Sequence, residues 1–448
     1  MSKAKIKYVC NNCGYESPTW LGKCPSCGEW NTFTEEKVVK RTARRTADYA
    51  SEPVKLSGEV SSESERVLTG IAEFDRTLGG GFMPGSLVLI GGDPGIGKST
   101  LVMQAAAKSN IQTLYVTGEE SVNQINLRAK RLKIKAENIS LLAETNYEEI
   151  ENAALKLKPD LLIIDSIQTV YDPRIENAPG TVTQLREVTA NLMRLSKTKN
   201  ITTLIIGHVT KDGFIAGPKI LEHIVDTVLQ FEGEKNHAFR ILRALKNRFG
   251  NTNEIGVFEM TESGLRQVEN PSEIFLSQKE KELPGSVITA SLEGSRAVLI
   301  EVQALTTRTN YGNPQRVATG FDYKRLAILL AVLDKRAELR TGYYNVFVNI
   351  AGGLKIFEPA IDLAVCVAIA SSMNDKVISS DTLFIGEVGL GGEIRIVSNA
   401  EKRIAEAEKL GLKKIFLPKG NLKNIKTNKA ELIPVNDISD VFYKLGIK

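Results

Sequence analysis

The stretch Gly92-Asp93-Pro94-Gly95-Ile96-Gly97-Lys98-Ser99, continued by Thr100, decides the fold. It has the spacing G-x-x-x-x-G-K-[ST], follows the apolar run SLVLIGG (86–92) and precedes a helical pattern that begins at Lys98. Its glycines let backbone N–H groups wrap a polyphosphate, and the first turn of the helix adds positive potential. Lys98 is placed to reach the β- and γ-phosphates, and the Ser99 hydroxyl to fill one Mg²⁺ position. The expected ligand is ATP or ADP with Mg²⁺.

Outward from this loop, short apolar runs alternate with amphipathic segments. TLYVTG (113–118), LLIID (161–165) and TTLIIG (202–207) read as buried parallel strands, and TQLREVTANLMRLSKTK (183–199) as a helix. Such alternation implies βαβ units and a mainly parallel sheet, an α/β class. Asp165 ends one strand, where a Mg²⁺-holding carboxylate belongs. Glu119 and Glu120 end the strand that follows the phosphate-loop helix. A glutamate there orients the attacking water in the RecA-like branch of phosphate-loop ATPases, so Glu119 is the expected base, with Glu120 second. Ser121 and Gln124 form a capping box opening a helix through Arg131. His208, just after a strand, stands where a γ-phosphate sensor would, although a lone histidine is more often structural. The Gly-rich segment 210–223 behind it is expected to contact DNA through Lys211 and Lys219.

The whole chain has 448 residues, 42% apolar and 25% charged, enough for two to four domains. No uncharged apolar run is long enough for a membrane span, and the opening MSKAKIKYVC lacks an apolar signal core, so a cytoplasmic protein is expected. Net charge is +5; residues 1–50 hold nine Lys or Arg against five Asp or Glu, leaving an excess of one for the other 398 residues. Any nucleic-acid binding in the bulk of the chain must come from local patches.

Four of the five cysteines form Cys10-x2-Cys13 and Cys24-x2-Cys27, each pair followed by a glycine, Gly14 and Gly28. Two-residue gaps present both sulfurs to one ion, which predicts a closed, structural Zn²⁺ ribbon over 1–34. The fifth, Cys366, lies in IDLAVCVAIA and reads as a small buried hydrophobe. Residues 35–64 lack apolar periodicity and read as a flexible polar linker with a basic run. The ATPase domain is expected over 65–270 and a second α/β or α+β domain over 271–448. The latter carries strand patterns (AVLIEVQAL, NVFVNIAG, EIRIV), a hairpin at Gly391-Gly392 and a helix EKRIAEAEKLG closed by Gly411.

One further motif is Lys246-Asn247-Arg248-Phe249-Gly250. Read as the end of a strand ILRALKNRFG, it points Lys246 and Arg248 to one face, a pair of cations suited to a γ-phosphate. The order zinc ribbon, GDPGIGKST, TGEES, LLIIDS and KNRFG resembles the bacterial RadA (Sms) family along essentially the whole chain. That resemblance implies a hexameric ring similar to the replicative helicase DnaB, with nucleotide between subunits and KNRFG cations supplied by the neighbour. It also implies an ATPase of homologous recombination and repair that works with RecA on single-stranded and branched DNA during branch migration, near the nucleoid.

The C-terminal block resembles the proteolytic domain of Lon but departs from it at both catalytic positions. Ala360 stands where the Lon serine belongs and Glu401 where its lysine does, so no acyl-enzyme is expected. Arg308, Arg316, Lys324 and Arg325 are the phosphate contacts this domain offers. A competing reading is a nucleotide-switched mediator that loads or stabilises RecA without moving; a KaiC-like signalling ATPase and an active protease fit the motifs less well.

Overall fold

The computed structural model describes residues 5–10, 14–38, 66–135, 137–207, 219–233, 239–276, 282–309, 312–425, 427 and 429–447. Cys13, His208, Lys211 and nearly all of the expected linker lie outside them. The chain divides into two compact units, Met1–Val268 and Glu269–Lys448, against a boundary expected after residue 270.

The first unit opens with a three-stranded antiparallel sheet in the order β2-β1-β3, where β1 is Lys5–Cys10, β2 Glu16–Ser17 and β3 Phe33–Val38. Its buried core is Cys10, Cys24 and Phe33. So small a core does not hold a module without a metal.

The rest of the unit runs α1 (Ala72–Leu78), β4 (Leu87–Gly92), α2 (Lys98–Ser109), β5 (Thr113–Thr117), α3 (Val122–Arg131), β6 (Ile139–Ala143), α4 (Tyr147–Leu157), β7 (Leu161–Asp165), α5 (Val182–Lys199), β8 (Thr202–Ile206), α6 (Lys219–Ile224), β9 (Thr227–Glu232), β10 (Phe239–Asn247), β11 (Ile255–Thr261) and β12 (Gly264–Gln267). Nine strands form one sheet, β12-β11-β10-β9-β4-β8-β7-β5-β6. From β9 to β6 all neighbours are parallel; β10, β11 and β12 continue it antiparallel. The four strands read from the sequence (β4, β5, β7 and β8) are the heart of the parallel part.

Successive residues of β4 serve opposite faces, as a strand buried on both sides requires. Val88 and Ile90 pack with Leu101 and Val102 of α2; Leu87 and Leu89 pack with Leu185, Val188 and Leu192 of α5. The phosphate loop is thereby anchored at the C-terminal end of a strand clamped from both faces. The capping box forms as expected: Gln124 N–H reaches Ser121 Oγ at 3.4 Å and Ser121 N–H reaches Gln124 Oε1 at 2.8 Å.

The second unit holds α7 (Pro271–Leu276), β13 (Ser286–Glu293), β14 (Arg296–Arg308), β15 (Arg316–Thr319), α8 (Tyr323–Arg336), β16 (Tyr344–Ile350), α9 (Asp362–Met373), β17 (Thr382–Phe384), β18 (Glu387–Val388), β19 (Ile394–Arg395), α10 (Ala400–Lys409), β20 (Lys414–Pro418), β21 (Glu431–Val435) and α11 (Ile438–Leu445). Seven strands make a mixed sheet, β15-β16-β14-β13-β17-β20-β21, and β18 with β19 makes the hairpin expected at Gly391-Gly392. Helix α9 is buried along nearly its whole length, Cys366 included. Gly411, at φ 80°, follows α10 in the left-handed conformation that closes a helix.

Candidate functional site

Gly92 and Gly97 show why the phosphate loop is glycine-rich. Both have left-handed φ (154° and 115°). A methyl group on Gly92 would meet the Phe231 carbonyl at 2.7 Å, and one on Gly97 would meet Met260 Cε at 2.9 Å. Between them the loop turns tightly enough for the buried Lys98 to donate to the carbonyls of Gly92 (2.7 Å) and Asp93 (2.9 Å). Burial draws the Lys98 ammonium pKa down, and the carboxylates of Asp165, Asp93 and Glu119 pull it back up.

A cleft of about 360 Å³ opens over this loop. Its walls bring together Lys98, Ser99, Thr100, Glu119, Glu120 and Asp165, with Pro94, Gly95 and Gly97. Strands β5 and β7 are adjacent and in register, Thr117 opposite Asp165, which sets the glutamate pair beside the aspartate. The two glutamates then part ways. Ser166, next to Asp165, donates from Oγ to Glu119 Oε1 at 2.5 Å. Glu120 turns to an ion pair with Arg128 of α3. Its backbone is locked too, since Thr117 Oγ1 donates to the Glu120 carbonyl (2.9 Å) and accepts from its N–H (3.1 Å).

Sequence reasoning missed three residues here. Arg128 and Arg131, three apart on α3, both line the cleft; the exposed-looking sequence of that helix hid them. Tyr115, fully buried in β5, donates its hydroxyl to Asp165 Oδ2 at 2.5 Å. Burial, reinforced by the charge of Asp165, pushes the phenol pKa far above its ordinary value, so it stays a donor. We expect Tyr115→Phe to keep the fold, raise the Mg²⁺ concentration needed for half-maximal turnover about tenfold, and leave Mg²⁺-free nucleotide binding unchanged, since a hydrogen bond to a charged group contributes roughly 1.5–3 kcal/mol. A Mg²⁺ titration of ATP turnover checks this; an unshifted curve would remove Tyr115 from the site.

In the ribbon, Cys10, Cys24 and Cys27 bring their sulfurs within 4.8 Å of one another. Two matching knuckles do this. Gly14 N–H donates to the Cys10 carbonyl (2.8 Å) and Gly28 N–H to the Cys24 carbonyl (2.9 Å), with Gly14 and Gly28 at φ 73° and 77°. Three thiols brought this close fit a tetrahedral soft-metal centre; Cys13, the fourth donor expected from the sequence, lies outside the described residues.

KNRFG differs from expectation. A β-bulge falls between Ala244 and Lys246, and β10 stops at Asn247. Arg248 therefore lies just beyond the strand, where its N–H donates to the Asp226 carbonyl at 3.2 Å. Lys246 Nζ donates to the carbonyls of Glu222 (2.5 Å) and Val225 (2.8 Å), and burial lowers its pKa. Asn247 braces the turn, donating to the Leu78 carbonyl (3.1 Å) and accepting from Phe249 N–H (2.9 Å). The Phe249 ring lies 5.5 Å from Lys197 Nζ, and Gly250 meets Gly79 so closely that a methyl on it would lie 2.9 Å from the Gly79 Cα. Arg248, 54% exposed, is 3.4 Å from the buried Asp226, which also binds Lys197 at 2.8 Å. In register, Asn247 lies opposite Thr227 and Thr227 opposite Val88, at the N-terminal end of β4. The motif is therefore at the far end of the sheet from its own phosphate loop, at least ~13 Å along the strand.

These features can be set beside known proteins. The chain is 51% identical to the DNA repair protein RadA of Bacillus subtilis, over 98% of both chains. The chain belongs to the RadA family of DNA repair proteins. RadA of Listeria monocytogenes is 50% identical over 99% of both chains. Three family models match in order: a rubredoxin metal-binding domain (8–35), an AAA domain (61–213) and subunit ChlI of Mg-chelatase (327–421). A solved structure of the RadB recombinase, 23% identical, covers 45% of this chain and 100% of its own at a TM-score of 0.36. As a RadA-family chain, this is a RecA-like ATPase of a DNA repair family, with a zinc ribbon in front and a Lon-protease-like domain behind.

In that last domain, Ala360 is buried in the turn Pro359–Ile361 and Glu401 is exposed on α10. Beside them, the fully buried Arg403 grips Glu358 and donates to the Ala290 carbonyl at 2.5 Å, and Glu358 accepts from Leu292 N–H at 2.7 Å. Two of the cations expected to meet phosphate are used inside the fold. Arg325 pairs with the buried Asp362 and donates to the Val388 carbonyl; Arg316 donates to the carbonyls of Thr341 and Tyr344. Arg308 and Lys324 are exposed. Lys219 opens α6, its side chain outside the described set. Among the described residues no helix is long and apolar enough to cross a membrane.

Proposed function

We propose that the chain is a DNA-dependent ATPase that works as a ring of identical subunits, moves along single-stranded DNA beside the nucleoid, and drives branch migration with RecA. The observation that carries this is the cleft in which Lys98, Ser99, Glu119 and Asp165 converge. Lys98 takes the β- and γ-phosphates, Glu119 orients the attacking water and accepts its proton, and Ser99 with Asp165 holds Mg²⁺. When bound, Mg²⁺ offsets negative charge on the phosphates. Tyr115 fixes the Asp165 carboxylate, and Arg128 keeps Glu120 out of the base role.

Arg248 lies too far along the sheet to reach its own loop, so in this reading it serves the phosphate bound by the adjacent subunit, with Lys246 positioning the turn. A closed four-cysteine Zn²⁺ centre is assigned to Cys10, Cys13, Cys24 and Cys27, where the ion would hold the ribbon together. The Lon-like domain, with Ala360 and Glu401 at the positions of the protease dyad, is assigned a structural and DNA-facing role through Arg308 and Lys324, without peptidase activity.

ATP turnover with and without single-stranded DNA, with particle size measured in the same samples, tests the proposal. We expect turnover to rise severalfold with DNA in particles of ring size. Turnover indifferent to DNA in a monomer would overturn it, and a forked substrate left unopened would favour a switch over a motor.

A further inference from the structure

The chain has two tryptophans, Trp20 and Trp30, and both sit on the ribbon with 52% and 67% of their surface exposed. The ribbon's core does not use them; Cys10, Cys24 and Phe33 form it, with Tyr8 and Leu21 packed alongside. Among the described ribbon residues the exposed large apolar side chains are Tyr15, Trp20 and Trp30, all aromatic and none aliphatic. A methyl group on Gly22 would sit 3.7 Å from Trp20 Cη2 and 4.0 Å from Trp30 Cζ3, so both rings border the same glycine. Lys23, exposed and bridged across from Trp30, holds its ammonium 5.4 Å from that ring's centroid.

We infer that the ribbon carries a stacking platform for the unpaired bases of single-stranded DNA, with Trp20 and Trp30 receiving base faces and Lys23 an adjacent phosphate. Flat aromatic faces beside a cation match the two chemistries that alternate along a single strand, planar bases and phosphates. The charge of the chain agrees, since its positive excess is concentrated in the first fifty residues. The inference rests on the single-stranded-DNA reading above and names where that strand is first gripped.

Because both tryptophans belong to the platform, the full-length, zinc-loaded chain reports on it directly. Adding an unlabelled thirty-nucleotide oligo(dT) should quench intrinsic tryptophan emission by a large fraction, and more weakly as salt is raised. Exchanging both rings (Trp20→Leu with Trp30→Leu) should weaken binding of a labelled oligo(dT), read by anisotropy, by about tenfold or more, while DNA-free ATP turnover and zinc content stay at the parent values. Anisotropy binding that is intact in the parent and equal in the variant, without quenching, would overturn the platform and leave the motor proposal standing. Failure of the parent to bind oligo(dT) at all would overturn both. Quenching by RecA but not by oligo(dT) would assign the rings to a protein partner and also overturn the inference. If the double variant loses zinc, Lys23→Glu in the intact ribbon decides the matter: unchanged oligo(dT) affinity counts against the platform and a severalfold loss supports it.

Discussion

Glu119→Gln is expected to cut ATP turnover by about 10³-fold while nucleotide binding persists, since a positioned general base contributes roughly 10²–10⁴. The same change at Glu120 should cost about tenfold or less by the same scale. The two side chains are neighbours in sequence, and both line the cleft. What separates them is company. Glu119 is held by the Ser166 hydroxyl, one residue from the carboxylate assigned to the metal. Glu120 is neutralised by Arg128, and its backbone is pinned at both ends by Thr117. The ion pair turns the Glu120 carboxylate toward Arg128, whereas Glu119 is set beside Ser166 within electrostatic reach of the Lys98 ammonium. Single-turnover rates and nucleotide affinities of the two variants check this ranking; the reverse order would move the base to Glu120 and make Arg128 its positioning residue.

Much of this site was legible in the sequence because its parts are local. A glycine-rich turn between a strand and a helix needs only its own eight residues to be recognised, and Asp165 at the end of LLIID needs only its strand. Two cysteine knuckles announce themselves by spacing. The features that stayed hidden depend on a partner distant in sequence. Tyr115 reads as one more apolar residue of a buried strand until β5 and β7 pair and set its hydroxyl on Asp165. Arg325 reads as a surface cation near the start of a helix. Asp362, 37 residues on, makes it an internal clamp, and removing one partner of such a buried pair typically costs roughly 3–5 kcal/mol. The KNRFG strand was read too long for the same reason: β10 ends at Asn247, and Arg248 turns to Asp226, 22 residues earlier in the chain. The Lon-like sheet was half visible: β14 and β16 show as apolar runs, whereas β13, reading SVITASLE, hides its burial under small polar residues whose hydroxyls find partners inside the fold.

The position of Arg248 leads to the second large effect. Arg248→Ala should lower turnover by about 10³-fold or more, the scale of an arginine supplied in trans, without a comparable loss of stability, because Asp226 keeps Lys197 and the Leu87 N–H as partners. That alone would not separate a trans contribution from local damage to the turn. Mixing does. Lys98→Ala lacks a working phosphate loop but retains Arg248; Arg248→Ala retains the loop but lacks the cation. Each is inactive by itself, yet where protomers alternate around a ring, a loop from the second meets an arginine from the first. Random equal mixing makes such a pocket at about a quarter of the interfaces in a head-to-tail ring, so the mixture should recover up to about that fraction of the parent rate. Recovery should vanish on dilution below the assembly concentration. The proposal draws on strand register: Asn247 is opposite Thr227, Thr227 is opposite Val88, and the phosphate loop begins four residues further along β4. A cation at the wrong end of its own sheet can help hydrolysis only at someone else's, and a mixture that stays inactive would return Arg248 to the purely structural role of bracing Asp226.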